Sequence, residues 1–325
     1  MAFDYTAYGL RIRSDTALPL LRPAVNSVLQ DLSVELFPAD HVISTLEELR
    51  WVRDSGHRIG ESSTTIEHCE SRLKITFRRN HDSALIFYIS ENSARIMLRR
   101  IGDIPETDAI SFLIGPIFGA ICRLRAKTCL HAAVLSYNGR AFALTGDKGA
   151  GKSTTSAMLL QCGAQLVADD IAVIDQDDGH FQVQRAYPYM RVSPDVLRLL
   201  GHDVDRAQPV LSLGDKRYLP ASDKGAGEGG ADTIELSAVY FLSKRGPAGT
   251  ATQINAIGPS EAIMRLNSNA YGTSLMKKPH RLQDYALFAD FARTKHCRAI
   301  ERANDLSRLS YLGKMLLQDF ETIHA

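Results

Sequence analysis

The sequence predicts a mixed α/β (α+β) protein. A glycine-rich loop joins a strand to a helix on a mixed, partly antiparallel sheet, and the N-terminal region is β-rich. Three observations predict this. The run Gly146-Asp147-Lys148-Gly149-Ala150-Gly151-Lys152-Ser153 fits G-x-x-x-x-G-K-S/T, a loop that cradles phosphates. Asn138-Gly139 separates two apolar runs, a strong hairpin signal, so the strand feeding the loop pairs antiparallel with the run before it. Upstream, short runs alternate apolar and polar residues in the manner of half-buried strands.

The loop's residue types follow from what a phosphate needs. Glycines let successive backbone N–H groups turn towards one anion and let the backbone come close to it. Lys152 is placed to reach the outer phosphates, and the Ser153 hydroxyl to ligate Mg²⁺. The apolar run Arg140–Thr145 supplies the strand before the loop. Ser153 to Cys162, closed by Gly163, supplies the helix, whose positive N-terminus adds to the site. The expected nucleotide-binding set is therefore Gly146, Asp147, Lys148, Gly149, Ala150, Gly151, Lys152, Ser153 and Thr154. A glycine turn that only joined two elements would need no Lys-Ser pair.

The chain has 325 residues, which fits one large domain or two smaller ones. The expected division is a β-rich region over 1–105 and a loop-bearing domain over 106–325. Apolar residues make up 45 % and charged residues 23 %, an ordinary globular balance. A net charge of +1 gives no overall field to recruit nucleic acid or an anionic membrane, so neither is an expected partner. No apolar run approaches a membrane span, and no signal-peptide pattern opens the chain, so a cytoplasmic location is expected. Cys69, Cys122, Cys129, Cys162 and Cys297 are odd in number and far apart, which argues against a disulfide framework or a structural zinc site. Nothing in the composition excludes a homo-oligomer.

In order along the chain, the clearest early strands are Leu73–Arg78, Ala84–Ile89 and Ala94–Arg99. His41, His57, His68 and His81 lie apart without metal-ligand spacing. Residues 106–126 have apolar side chains at helical spacing, closed by Arg123, Arg125 and Lys127 as a helix C-terminus. After Gly163 comes the strand Gln165–Ala168, then Asp169-Asp170, then a second apolar run from Ile171. Two carboxylates at a strand end, one helix beyond the loop, suit a Mg²⁺ and catalytic-base position. Ser193-Pro194-Asp195 opens a short helix stopped by Gly201, with serine as its cap. Lys216-Arg217 reads as a solvated basic pair or, as the alternative, as added positive charge near the phosphates. Residues 221–232 are glycine-rich, a lid or a linker. Strands over 234–242 and 251–257, helices over 260–268 and 281–293, a strand over His296–Glu301 and a helix over 304–320 complete the chain.

The block Leu130 to Ile174 resembles the catalytic core of the HPr kinase/phosphorylase family. His131 stands 21 residues before Lys152 and Asp170 stands 18 after it, both as in that family. Val167-Ala168-Asp169-Asp170 matches the family's V-A-D-D. The family's glycine-containing segment further downstream, with its glutamate metal ligand, is not recognisable; Ala186–Arg191 stands in that region. The resemblance implies a kinase core of the HPr kinase/phosphoenolpyruvate carboxykinase type using ATP and Mg²⁺. It implies Asp170 as the base towards a substrate hydroxyl and His131 beside the transferring phosphate. Lys152 would act on the transferred phosphoryl, with Ser153 and Asp169 serving the metal. The layout further resembles stand-alone family members encoded with ribosomally made peptides, including lasso-peptide kinases. That implies a peptide or protein partner with an acceptor serine. Two other functions stay open: a small-molecule phosphotransferase, for instance on free serine, and a nucleotide-binding regulatory module without transfer chemistry. The guanine-recognition motif N-K-x-D expected of many switches is absent.

Overall fold

The computed structural model describes residues 2–24, 30–37, 46, 48–221, 232–247 and 249–324. It divides into two compact units, Met1–Ile117 and Phe118–Ala325.

The first unit is built on a mixed sheet. Its strands are β1 (Phe3–Ala7), β2 (Leu10–Ser14), β3 (Arg22–Pro23), β4 (Leu32–Phe37), β5 (Val52–Ile59), β6 (Ser62–Cys69), β7 (Arg72–Arg78), β8 (Ala84–Ile89) and β9 (Arg95–Ile101). They are ordered β3-β1-β2-β4-β9-β8-β7-β6-β5. The β5–β9 stretch is an antiparallel meander, and β4 joins it parallel to β9. Alternation works as the pattern demands: Leu73 and Ile75 of β7, with Leu85 and Phe87 of β8 and Ile96 and Leu98 of β9, are buried. Helix α1 (Glu106–Phe112) lays Phe112 on Phe77, ring centroids 4.3 Å apart, and Asp108 is buried against Arg79. His57, His68 and His81 lie apart on strands and a turn, and His41 falls outside the described residues.

The regular helix expected over 106–126 is interrupted. Leu113–Ile117 form a wider π-type turn containing Pro116, and a second helix, α2 (Phe118–Leu124), follows. Proline lacks the N–H and its ring crowds the carbonyl one turn back, and a π turn makes room for both. By length and composition the run Glu106–Leu124 could cross a membrane, with mean hydropathy 1.4. Yet 78 % of that stretch is buried within the protein itself, the setting of a core helix. This corrects the expectation that no run comes near spanning length. Arg123 is also not a solvated helix-end charge. It is fully buried and forks onto both carboxylate oxygens of Asp284 while donating to the Lys127 carbonyl.

The second unit is organised by a curled, mixed sheet. Its strands are β10 (Thr128–Leu130), β11 (Ala132–Tyr137), β12 (Arg140–Gly146), β13 (Gln165–Ala168), β14 (Ala172–Asp177) and β15 (His180–Gln184). Then come a separate pair, β16 (Tyr189–Val192) and β17 (Arg217–Pro220), and finally β18 (Thr233–Leu242), β19 (Gln253–Ala256) and β20 (His296–Glu301). The main order is β10-β14-β15-β18-β12-β11-β13, with β20 also parallel to β18 and β19 on β20. The Asn138-Gly139 hairpin is present, both residues at positive φ, pairing Tyr137 with Arg140 through Ala132 with Thr145. It begins at Ala132, not at Leu130, because Thr128–Leu130 pairs elsewhere, with β14.

Helix α3 (Lys152–Gln161) follows the glycine loop, and α4 (Pro194–Leu199), α5 (Pro259–Ser268), α6 (Lys278–Thr294) and α7 (Leu309–Thr322) complete the unit. Ser193 occupies the cap position of α4 without a side-chain cap bond. The last helix starts later than its sequence suggests, because a 3-10 turn, Leu306–Arg308, precedes it. Apolar faces of α3 and α7 cover the sheet: Phe142, Leu144, Leu159, Tyr240, Leu316 and Phe320 form one core. Each such side chain contributes roughly 1.5–3 kcal/mol by leaving water. This core fixes α3 against β12 and so aims the helix N-terminus. The glycine-rich stretch expected over 221–232 lies almost wholly outside the described residues. All five cysteines are free thiols; Cys122, Cys129 and Cys297 are buried.

Candidate active site

Three parallel strands end in one row. Gly146 of β12 pairs with Leu242 of β18, and Leu242 with Ile300 of β20. Loops leaving the carboxyl ends of parallel strands are where α/β sheets place ligands. Here the first of them is the glycine loop. Gly146 has φ 148°, and a Cβ there would lie 2.5 Å from the Leu242 carbonyl oxygen. Gly151 has φ 91° and caps α3, and a Cβ would lie 2.8 Å from Arg302. Neither position takes a side chain without displacing the loop. Asp147, Lys148 and Gly149 form the exposed tip, closed by the Ala150 N–H donating to the Asp147 carbonyl at 3.0 Å. Ser153 and Thr154 stand half-buried in the first turn of α3. That turn has no acidic residue and no side-chain cap, so its N–H groups and dipole are directed at whatever anion the loop holds.

Lys152 Nζ donates to the Gly146 carbonyl at 2.6 Å. Half burial pulls its pKa down, while Asp170, Asp147 and Asp169 act in the opposite direction. The loop lysine and the two aspartates are thus within electrostatic reach of one another.

The aspartates sit at a seam in the sheet. Strands β10 and β11 are one run broken at His131; β13 and β14 are one run broken at Asp169-Asp170. Leu130 pairs with Ala172 on one side of the break and Val134 with Ala168 on the other, so the two breaks face each other. His131 Nδ1 lies 2.9 Å from the Asp170 carbonyl oxygen and 3.2 Å from its Oδ1. The His131 backbone is held on both sides. Its N–H donates to the Asn269 carbonyl at 2.7 Å, and its carbonyl accepts from Thr145 Oγ1, next to Gly146, at 2.9 Å. Asp170 has φ 70°, left-handed, and the Ile171 N–H donates back to the Asp169 carbonyl at 2.8 Å. A three-residue turn of this hand is uncommon and strained.

The two neighbours differ in environment. The Asp170 side chain is half exposed. Asp169 is buried, and its Oδ2 accepts the Arg191 N–H at 2.8 Å. Burial, with Asp170 beside it, pushes the Asp169 carboxyl up to about 6, against the pull of Arg191 and Lys216. The stability consequence has a definite sign. A carboxyl whose folded pKa lies above its unfolded one favours folding most at low pH. In the metal-free protein this contribution is lost as pH rises from the unfolded value near 4 through about 6. Chemical denaturation at pH 4 and pH 7.5, wild type beside Asp169→Asn, checks this. The asparagine variant is expected to lose that pH step, and an unchanged step in the variant assigns it elsewhere.

Sequence reasoning missed three cations here, Arg191, Arg245 and Arg302. Arg191 offers its backbone to Asp169. Lys216, which the sequence left as either solvated or added charge near the phosphates, is exposed and acts on both Asp169 and Lys152. Its neighbour Arg217 spends its guanidinium on the carbonyls of Gly214, Asp215 and Lys216. Arg245 follows β18 and donates to the Gly149 carbonyl at 3.4 Å. Arg302 follows β20, is buried, and donates to the Ala150 carbonyl. None belongs to a motif; only the pairing of β12, β18 and β20 brings the two loop-bound arginines to the loop. Among the described residues no group of three or more His, Cys, Asp and Glu side chains is arranged to hold a metal ion by itself. A Mg²⁺ that takes most of its ligands from water and phosphate fits such a site, because it needs only one or two protein oxygens.

No protein-family model matches the chain. No curated protein matches it. Among solved structures, the Hpr(Ser) kinase/phosphatase from Coxiella burnetii is 13 % identical, with a TM-score of 0.30, covering 61 % of this chain and 99 % of that one. At that score the likeness carries no argument about this chain, and the functional reading rests on its own residues.

Proposed function

We propose that the protein is an ATP-dependent kinase that transfers the γ-phosphate to a serine hydroxyl of a peptide or protein. A ribosomally made precursor peptide, such as a lasso precursor, is the acceptor class we favour. The observation that carries the reading is the His131–Asp170 pair at the sheet seam, within electrostatic reach of Lys152 at the head of α3. A loop that only held a nucleotide would need no half-exposed carboxylate aimed beside it.

Phosphoryl transfer asks mainly for positioning and charge neutralisation. Backbone N–H groups of the loop and of the first turn of α3 bind the phosphates, with Lys152 over the transferred group. Ser153 and Asp169 are the residues that would hold Mg²⁺, which when bound offsets charge developing on the phosphate oxygens. Asp170 accepts the proton of the acceptor hydroxyl as its oxygen attacks phosphorus. His131 orients the Asp170 carboxylate and donates towards the phosphoryl oxygens.

Lys152→Ala tests the assignment of the loop. Transfer is expected to fall by about 10²-fold or more, with weaker nucleotide binding, because the main cation over the transferred group is gone. The measurement is mass shift of candidate peptides incubated with ATP, beside nucleotide affinity by calorimetry. Full turnover in the Lys152→Ala protein would sink the assignment.

A further inference from the structure

Two buried donors beside the loop have no partner among the described residues. Arg302 is 7 % exposed; one terminal nitrogen serves the Ala150 carbonyl, and the other, Nη1, is unmatched. Thr155, near the start of α3, is fully buried, and its Oγ1 is unmatched as well. Both residues line one small cavity, with Gly151, Arg245 and Arg308 also in its wall. Its volume is about 20 Å³, room for one water or one monatomic ion. A buried hydroxyl or guanidinium nitrogen left open costs free energy, so the cavity calls for an acceptor that meets both.

The charge around the cavity says which acceptor. A Cβ built on Gly151 would lie 2.8 Å from Arg302 Nη2 and 3.2 Å from Arg245 Nη2, so two guanidinium groups converge on one spot. Asp305, a carboxylate in the same wall, is engaged elsewhere. Its Oδ1 accepts from the Ser307 N–H at 2.9 Å and from the Ser307 hydroxyl at 2.6 Å, and its Oδ2 lies 3.6 Å from Arg308 Nε. Burial, with Arg245 beside it, pulls the Arg302 guanidinium down to about 10, and among the described residues no carboxylate acts the other way. A water would fill the cavity and leave that buried charge unanswered. A small anion accepts from both donors and supplies the missing charge. The phosphates of a nucleotide on the loop are not that anion. The Gly149 and Ala150 carbonyls face the two arginines, and in a planar trans peptide the next N–H points the opposite way. The Gly151 N–H therefore turns to the other side of the loop, and an anion that it cradles lies across the loop from this cavity. We propose that the cavity is a separate anion site, which binds one inorganic monoanion of chloride size through Arg302 Nη1, Thr155 Oγ1 and Arg245. The ion fastens the outer face of the loop, whatever the inner face holds.

The test is urea denaturation of the full chain without nucleotide, at fixed ionic strength, with sodium gluconate exchanged stepwise for sodium chloride. Gluconate carries the same charge and is far too large for the cavity. The wild-type midpoint is expected to rise with chloride and then level off, as binding to the folded form alone requires. Two variants locate the site. Thr155→Val keeps the shape and removes one unmatched hydroxyl. Arg302→Gln keeps a donor for the Ala150 carbonyl and removes the charge. In both, the chloride concentration at half the rise is expected to increase about tenfold or more. In gluconate alone, Thr155→Val is expected to be no less stable than the wild type, because the hydroxyl it removes has no partner there; a hydroxyl kept for structure alone would show the reverse. A wild-type midpoint that is the same in chloride and gluconate overturns the proposal. So does an unchanged half-point in Thr155→Val, which decides alone if Arg302→Gln does not fold. Repeating the titration at saturating Mg²⁺-ATP separates this site from the loop's own. The rise with chloride is expected to remain, and its disappearance overturns the proposal by assigning the chloride to the loop. The arms without nucleotide decide the matter even where ATP does not bind.

Discussion

In the Asp170→Asn protein, single-turnover phosphoryl transfer is expected to fall by about 10²–10⁴-fold while affinity for Mg²⁺-ATP stays near that of the wild type. The change is small in shape. Asparagine tolerates the left-handed backbone at φ 70° nearly as well as aspartate. The Asp170 carbonyl that meets His131 belongs to the backbone and survives the substitution. What disappears is a proton acceptor and one negative charge facing Lys152. Asp169→Asn is expected to do the opposite, weakening metal-dependent binding first, because that carboxylate is buried and held against Arg191. Calorimetry with each variant, next to single-turnover transfer to an accepted peptide, separates the two. Equal loss of binding in both would end the division of labour between them. Transfer at the wild-type rate in Asp170→Asn would remove the base assignment.

Asp284→Ala is expected to destabilise the second unit by about 3–5 kcal/mol. Arg123 is wholly inside the protein and forks onto Asp284, itself buried, 161 residues away along the chain. Without the carboxylate a guanidinium is left inside with one remaining carbonyl partner, Lys127. The paired change Arg123→Met with Asp284→Leu is expected to cost much less, since it removes both charges together and keeps apolar volume. Urea denaturation of the three variants measures this. A cost below about 1 kcal/mol for Asp284→Ala would mean that water reaches the guanidinium in solution.

What the sequence made legible is local. The loop, its flanking strand and helix, the Asn138-Gly139 hairpin and the paired aspartates are each written within a few neighbouring residues, so spacing rules reach them. The seam was not legible. Leu130–Ser136 is mostly apolar and reads as one strand, and nothing local says that its first part pairs with β14 and the rest with β12 and β13. Arg123 looked like a helix-end charge because the helix-end pattern fits and its partner is out of sight of any window. Arg245 and Arg302 carry no spacing relation to the loop. Their place depends on the parallel order of β12, β18 and β20, a property of the whole sheet.

The bond from Arg302 to the Ala150 carbonyl spans 152 residues. Chains are made and begin to fold from the N-terminus, so the whole loop motif leaves the ribosome long before Arg302 does. Until β20 has threaded in beside β18, Ala150 lacks this fastening and the wall beside Gly151 is missing. A chain ending before Arg302 therefore carries every residue of the motif without the site that the motif announces. If the loop holds a nucleotide as proposed, binding is expected to require β20 in place and to stabilise the loop together with it.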